Sequence, residues 1–566
     1  MGLETLTVSE IVEWSVSKKM DIPEFQRQFV WDPEQVKLLA ESLYREYPIG
    51  SFLFWDSTDY AGSKTAMGSE VSLWIVDGQQ RTTALALLLN KKPYWWPSAE
   101  EWNKALKRYD PMVNVLSEDE QLDFALANPI RKKDPRWVSV RDILSVPDVE
   151  QLTKFAQEIA SKMAEEPDKA MQLFPKIHAR LNRLWQIRNQ PIPLMKIRHE
   201  VEDVAEIFAR LNQAGTRVKE ADVILALASV KNPNWIREEY MPFREDLEEK
   251  GWELDAGIFI RTLTSIGAGK ARLIEVPRDF WEKDSLLPVW ELCKETTAEV
   301  IKRMAEFGIL NGDLLPSKNS LTPLFALHHK WKNSPSYNFK KALYWFLLAN
   351  RDGRYSGSSI TNMNEDVRAL SEADSFDSAL ERVLGRLRVN DIVDEGEFLE
   401  RYDRAGQRFY RLLYFINIFK NGAKDWVDHS LIGYDKTGGA LLKGFQPNWH
   451  HIFPRSLLKK HNLPEDEIQA MANITVLNER TNVLKLTSLR PEQYIERFKI
   501  TKAELSGHDI PESFLASVPG SWEGAAGDTA AQLRKDWDIA RYRDFIIERA
   551  ALLGKKCTSI LQELKG

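Results

Sequence analysis

The run GFQPNWHHIFPRSLLKKHNL, continued a little further on by MANITVLNERTNVLKL, restricts what this chain can fold into more than any other segment. It sets His450 and His451 at the end of a short extended stretch, turns at Pro454 into a helix-like segment, and then spaces out Asn473, Asn482 and Lys485. A neutral imidazole can take a proton from water. A second imidazole and an amide can ligate a divalent cation, and a rigid link lets both act on one phosphate. The same residue types also suit a plainer role, with the histidines hydrogen-bonded in a loop and the asparagines in turns. A structural zinc site on His450, His451 and His461 is a poorer match, because no cysteine supports it and adjacent ligands strain a tetrahedral cage. His328 and His329 repeat the dipeptide inside the helical pattern FALHHKW, without the following proline, and serve as an internal control.

The series His450, His451, Ile452, Phe453, Pro454, Asn473, Asn482, Lys485 resembles the His-Me finger, or HNH, nucleases and their ββα-metal motif. The resemblance implies His451 as general base and His450 with Asn482 as ligands of one divalent ion, Mg²⁺ or Mn²⁺. It implies Asn473 as the residue that pins the hairpin loop and orients His451, and Lys485 or Arg455 as a phosphate contact. His450 stands where many of those nucleases carry Asp. Imidazole is the softer ligand, which favours Mn²⁺ or Ni²⁺ over Mg²⁺.

A second motif lies near the other end. VDGQQRTTAL joins a buried strand, VSLWIV, to a helix through Asp77, Gly78, Gln79, Gln80 and Arg81. Helix starts expose unpaired N–H groups, and a glycine there admits close approach to the main chain, so the turn suits a phosphate. Arg81 can fork two hydrogen bonds to it, and Asp77 can hold a metal or cap the helix. Equally, Asp77 is a cap, Gly78 makes the turn, and Gln79, Gln80 and Arg81 are solvated.

IPEFQRQFVW, the PIG before a strand, DGQQRTTAL and IFARLNQAGTRVKEAD occur in that order. Together they resemble the ParB-like nucleotidase domains of GmrSD-type modification-dependent restriction enzymes, which are joined to an HNH-type nuclease domain. The resemblance implies Asp77, Gly78, Gln79, Gln80 and Arg81 as a nucleoside triphosphate site. Gln26 and Arg27 would lie near the same pocket, with Asn212 a weaker candidate. Ala214 stands where that family's loop often has a second glycine.

The rest of the chain is ordinary globular sequence: 566 residues, 43% hydrophobic and 28% charged, enough for several cores. Its net charge of -6 confines any nucleic-acid surface to a local patch. Two distant cysteines, Cys293 and Cys557, fit a reducing cytoplasm, and the absence of long apolar runs argues against a membrane span. The 19 tryptophans read as core and interface filler. Periodicity predicts an α+β chain that is mostly helical. The expected division is a ParB-like α/β sensor domain over 1–230, a helical connector over 231–395 and a ββα-metal nuclease domain over 396–566.

The implied activity is anti-phage DNA cleavage coupled to an NTP-binding or NTP-hydrolysing sensor. Its partners would be modified phage DNA and NTP, with a homodimer supplying two active sites for a double-strand break. Two other functions stay open: a nucleotide-dependent DNA-binding regulator that does not cut, and a non-specific DNA-cleaving toxin of abortive infection.

Overall fold

The computed structural model describes residues 2–22, 29–56, 73–96, 98–164, 166–198, 207, 221, 224–225, 228, 231–232, 235–356, 359–435, 437–442, 444–478, 486, 489–523 and 529–566. Packing divides the chain into two units, Met1–Glu238 and Glu239–Gly566. The division expected at 395 falls within the second unit. Among the described residues the chain is mostly helical with three small sheets, an α+β composition.

In the first unit, β1 (Gly2–Thr7) leads directly into the helix Val8–Val16, where Thr7 and Glu10 form a reciprocal capping box. Asp32 and Gln35 do the same for the helix Pro33–Tyr44, which places proline in its first turn and buries Val36, Leu39 and Leu43 on one face. β2 (Phe52–Asp56) and β3 (Leu73–Asp77) follow. β4 (Pro111–Asn114), β5 (Asp123–Leu126) and β6 (Trp137–Ser139) make a separate antiparallel sheet in the order β5-β4-β6. Two helices, Val149–Met163 and Pro167–Trp185, follow, the second with Pro167 in its first turn. β7 (Pro191–Ile197) then enters the first sheet, whose order is β1-β7-β2-β3. β7 is antiparallel to β1 and parallel to β2, and β2 is antiparallel to β3. Phe52, Leu53, Phe54 and Trp55 of β2 are all buried, as a strand covered on both faces requires.

The second unit is built on helices. Among its described residues the one paired sheet is a hairpin, β8 (Asn448–His451) against β9 (Ile474–Leu477), with His450 opposite Thr475 and His451 opposite Ile474. The helix Tyr542–Lys565 buries Phe545, Ile546, Arg549, Leu553 and Cys557 at helical spacing. Arg549 sits in that apolar stripe because all five of its N–H donors are used. Nε donates to Asp509 O at 3.2 Å, and Nη1 donates to Ala472 O at 2.7 Å and Ile474 O at 2.9 Å. Nη2 donates to the Tyr414 hydroxyl at 2.7 Å and His508 O at 2.9 Å. His508, itself fully buried, reaches Thr475 Oγ1 at 2.6 Å and Lys424 O at 2.7 Å. Replacing Arg549 by Leu strands these acceptors and is expected to destabilise the second unit by about 3 kcal/mol or more. Urea unfolding of the full chain, followed by tryptophan fluorescence, would read this; an unchanged midpoint contradicts it.

Candidate active site

β8 carries the two histidines in register with β9, and successive side chains on a strand face opposite ways. His450 accordingly points inward and is 4% exposed. Its ring stands perpendicular to Trp426 at 6.0 Å, and Tyr494 lies at 6.4 Å. His451 has other surroundings. Its ring meets the edge of Tyr402 at 5.8 Å, and its Nε2 lies 2.9 Å from Gln469 Oε1. The two imidazoles therefore have different neighbours on the two faces of the strand.

Asn473 closes the loop between the strands. It is fully buried; its Oδ1 accepts from Phe453 N at 2.9 Å, and its Nδ2 donates to Phe453 O at 3.1 Å and Ile468 O at 3.2 Å. The main chain of the same residue accepts from Ile452 N at 2.8 Å. One side chain thus holds the backbone immediately after His451.

Gln469 is a residue that the motif did not single out. Its Nε2 donates to Glu465 Oε1 at 2.9 Å, so its amide oxygen faces His451. An amide oxygen only accepts, so His451 Nε2 must carry the proton and Nδ1 keeps the lone pair. Glu465 is held in turn by Arg455 and, at 3.5 Å, by Lys459. Burial pushes the His451 imidazole below its ordinary value of 6.5, and the bond to Gln469 pulls it back upward. At neutral pH His451 is an uncharged base with a fixed tautomer.

Of the ligands expected for a divalent ion, His450 is described, and Asn482 lies outside the described residues, as does Lys485. Among the described residues no group of three or more His, Cys, Asp or Glu side chains forms a ready-made cage. His328 and His329, the control pair, are structural. His328 bridges the Tyr337 hydroxyl at 2.6 Å and Glu299 at 2.9 Å inside the helix Leu321–Trp331.

In the first unit, β3 ends at Asp77 and the helix Gln79–Leu88 begins after Gly78, whose φ of 109° lies in the left-handed region. A Cβ there would come within 2.4 Å of the Phe52 ring, so only glycine fits. Arg81 turns back across this junction. Its Nη1 donates to Ile49 O at 2.7 Å, its Nη2 to Ser51 O at 3.1 Å and Asp77 Oδ2 at 2.8 Å, and the guanidinium stacks on Phe52 at 4.7 Å. Gln80 Oε1 accepts from Val30 N at 2.9 Å, and Gln79 is half-buried on the first turn. The motif therefore ties the Pro48–Gly50 loop to the β3–helix turn. Gln26, Arg27 and Asn212 lie outside the described residues.

Comparison with known proteins bears on this unit most directly. Residues 8–229 match the family model described as the GmrSD restriction endonuclease, N-terminal domain. Over its length the chain is also similar to the uncharacterized protein MJ0686 of Methanocaldococcus jannaschii, with 23% identity over 619 aligned positions that cover 99% of each protein. The first match supports the GmrSD-type restriction enzymes as the class to which the amino-terminal unit is similar. No helix among the described residues is long and apolar enough to cross a membrane.

Arg81→Ala is expected to destabilise the protein by about 2 kcal/mol, through the carbonyls of Ile49 and Ser51 that lose a charged donor. Chemical denaturation of the full chain measures it, and an unshifted midpoint removes the bracing role.

Proposed function

We propose that this protein is a prokaryotic anti-phage DNA endonuclease, in which an NTP-binding sensor unit governs metal-dependent hydrolysis of phosphodiester bonds in modified DNA. The observation that carries the reading is the placing of His451, its Nε2 2.9 Å from Gln469 Oε1 on a hairpin clamped by Asn473, in a chain whose amino-terminal unit matches a restriction-endonuclease domain. Modified phage DNA and NTP are the proposed partners, and the cytoplasm is the proposed compartment.

In this mechanism His451 Nδ1 takes a proton from the attacking water while its Nε2–H stays on Gln469. Asn473 keeps the backbone after His451 from moving during that transfer, and Arg455 or Lys485 meets the phosphate. The phosphorus–oxygen bond to the leaving group breaks and the departing 3′-oxygen takes a proton from solvent water, which gives 5′-phosphate and 3′-hydroxyl ends. His450 and Asn482 would hold a divalent ion, which supplies stabilisation of the charge that develops on the phosphate. In the sensor unit, the turn after β3 would receive NTP phosphates on its backbone N–H groups. A second reading is favoured there by the bonds of Arg81: DGQQR serves first as the joint between two loops, and nucleotide contact falls to the backbone rather than to the guanidinium.

Nicking of modified and plain supercoiled plasmid, with Mn²⁺ or Mg²⁺ and with or without NTP, tests the proposal. His451→Ala is expected to lose about 100-fold or more of the rate. Full activity in that variant removes the base assignment, and DNA binding without any cutting by the parent protein favours the regulator. The active form of His451 is the neutral one, so the acid limb of the pH–rate profile should lie below 6.5. Gln469→Leu removes the bond that raises the imidazole and should move the limb lower, and Gln469→Glu should move it higher. A limb that ignores both changes contradicts the relay.

A further inference from the structure

The face of β8 that presents His451 also presents Trp449, because residues two apart on a strand share a side. Next to Trp449 lies a cavity of about 120 Å³ whose walls include Arg408, Arg411, Gln446 and Asp313. Arg408 and Arg411 occupy the first turn of the helix Arg408–Lys420, three positions apart and so on one side of it. The Arg411 guanidinium lies over the Trp449 ring at 5.7 Å.

Two like charges so close are unfavourable unless something negative joins them. Burial and the neighbouring Arg408 both push the Arg411 guanidinium down from its ordinary value. Asp313 feels the charge of Arg408 and Asp403 pulls the Arg411 guanidinium back upward, but among the described residues neither guanidinium is within ion-pair distance of a carboxylate. Asp313, the acidic group on the wall, is already taken by Lys318 at 2.9 Å and accepts from Gln446 at 3.4 Å. Tyr402 links the cavity to the candidate active site: its ring touches His451, and its phenol feels the charge of Arg411.

Resting on the nuclease reading above, we propose that Arg408, Arg411 and Trp449 form a subsite for a backbone phosphate of the DNA strand, next to the one that His451 attacks. A guanidinium held over an indole by cation–π attraction keeps its N–H groups available to fork two phosphate oxygens. From Trp449 to His451 the strand advances about 7 Å, so the phosphate bound here belongs to a neighbouring nucleotide. The subsite fixes strand register and leaves base identity unread.

The test uses the full chain carrying His451→Ala, so that DNA is bound without being cut, and a fluorescent duplex titrated by anisotropy across a KCl series. Adding Arg408→Gln with Arg411→Gln should weaken binding about tenfold and lower the log–log salt slope by about one. Arg408→Lys with Arg411→Lys keeps the charge and loses the fork, and should recover the slope but only part of the affinity. Arg368→Gln with Arg382→Gln, an equal change of charge on other helices of the same unit, should change neither. Thermal melting of each variant confirms the fold. If the glutamine pair binds like its parent, or loses no more than the control pair, the subsite is wrong; plasmid nicking by the unmodified protein then still supports the nuclease. If the unmodified protein neither binds nor nicks DNA, both fall together.

Discussion

Arg549 holds a positive charge with no solvent exposure, at a place where an unmatched ion would be severely destabilising. Five oxygens offset that. The carbonyls of Ala472 and Ile474 bracket Asn473, so the guanidinium that anchors the terminal helix also sets the main chain from which the Asn473 amide reaches Phe453. The position of His451 thus depends on a residue nearly a hundred positions away. Packing alone would hold the helix against the hairpin; only a donor with five fixed directions holds it in one register.

With that frame in place, the two faces of β8 have different chemistry. The inner face sets His450 among the rings of Trp426 and Tyr494. The outer face sets His451 beside a chain of polar groups, Gln469, Glu465 and Arg455, each orienting the next. The polar chain matters because an imidazole offers a base only on the nitrogen that lacks a proton. Sequence motifs specify that a histidine is present. The amide four residues after a glutamate decides which of its nitrogens is available.

Local signals in the sequence were easy to read. Asp32, Pro33 and the apolar positions after them define a helix start through contacts spanning a single turn, and the structure has that start. Six of the tryptophans read as filler, Trp252, Trp281, Trp290, Trp345, Trp426 and Trp537, are fully buried. The loop closure by Asn473 was implied by the resemblance to the ββα-metal motif, and its bonds to Phe453 fall inside that motif. Arg549 gave no such signal, since one arginine in an apolar stripe looks like a solvated residue until its partners, far off in the chain, are known. Gln469 was equally silent: its role depends on which way an amide faces. Arg81 illustrates the opposite case. Its motif was visible, but its bonds to Ile49 and Ser51 come from a separate loop that the motif does not mention.

The buried histidine beneath the hairpin carries one more consequence. Lys424 O can only accept, so His508 Nε2 must donate, and Nδ1 must then receive the hydroxyl hydrogen of Thr475. Thr475 oxygen is left to accept, the Tyr414 hydrogen lies between it, at 3.0 Å, and His508 O, at 3.3 Å, and the Tyr414 oxygen accepts from Arg549. Every hydrogen in this row points the same way, from the terminal helix toward Lys424. An extra proton on His508 would set two hydrogens against each other at Thr475, and burial already pushes that imidazole down to about 4. Only strong acid would therefore disturb this one-way file of hydroxyls under β9, which near neutrality is held in a single sense.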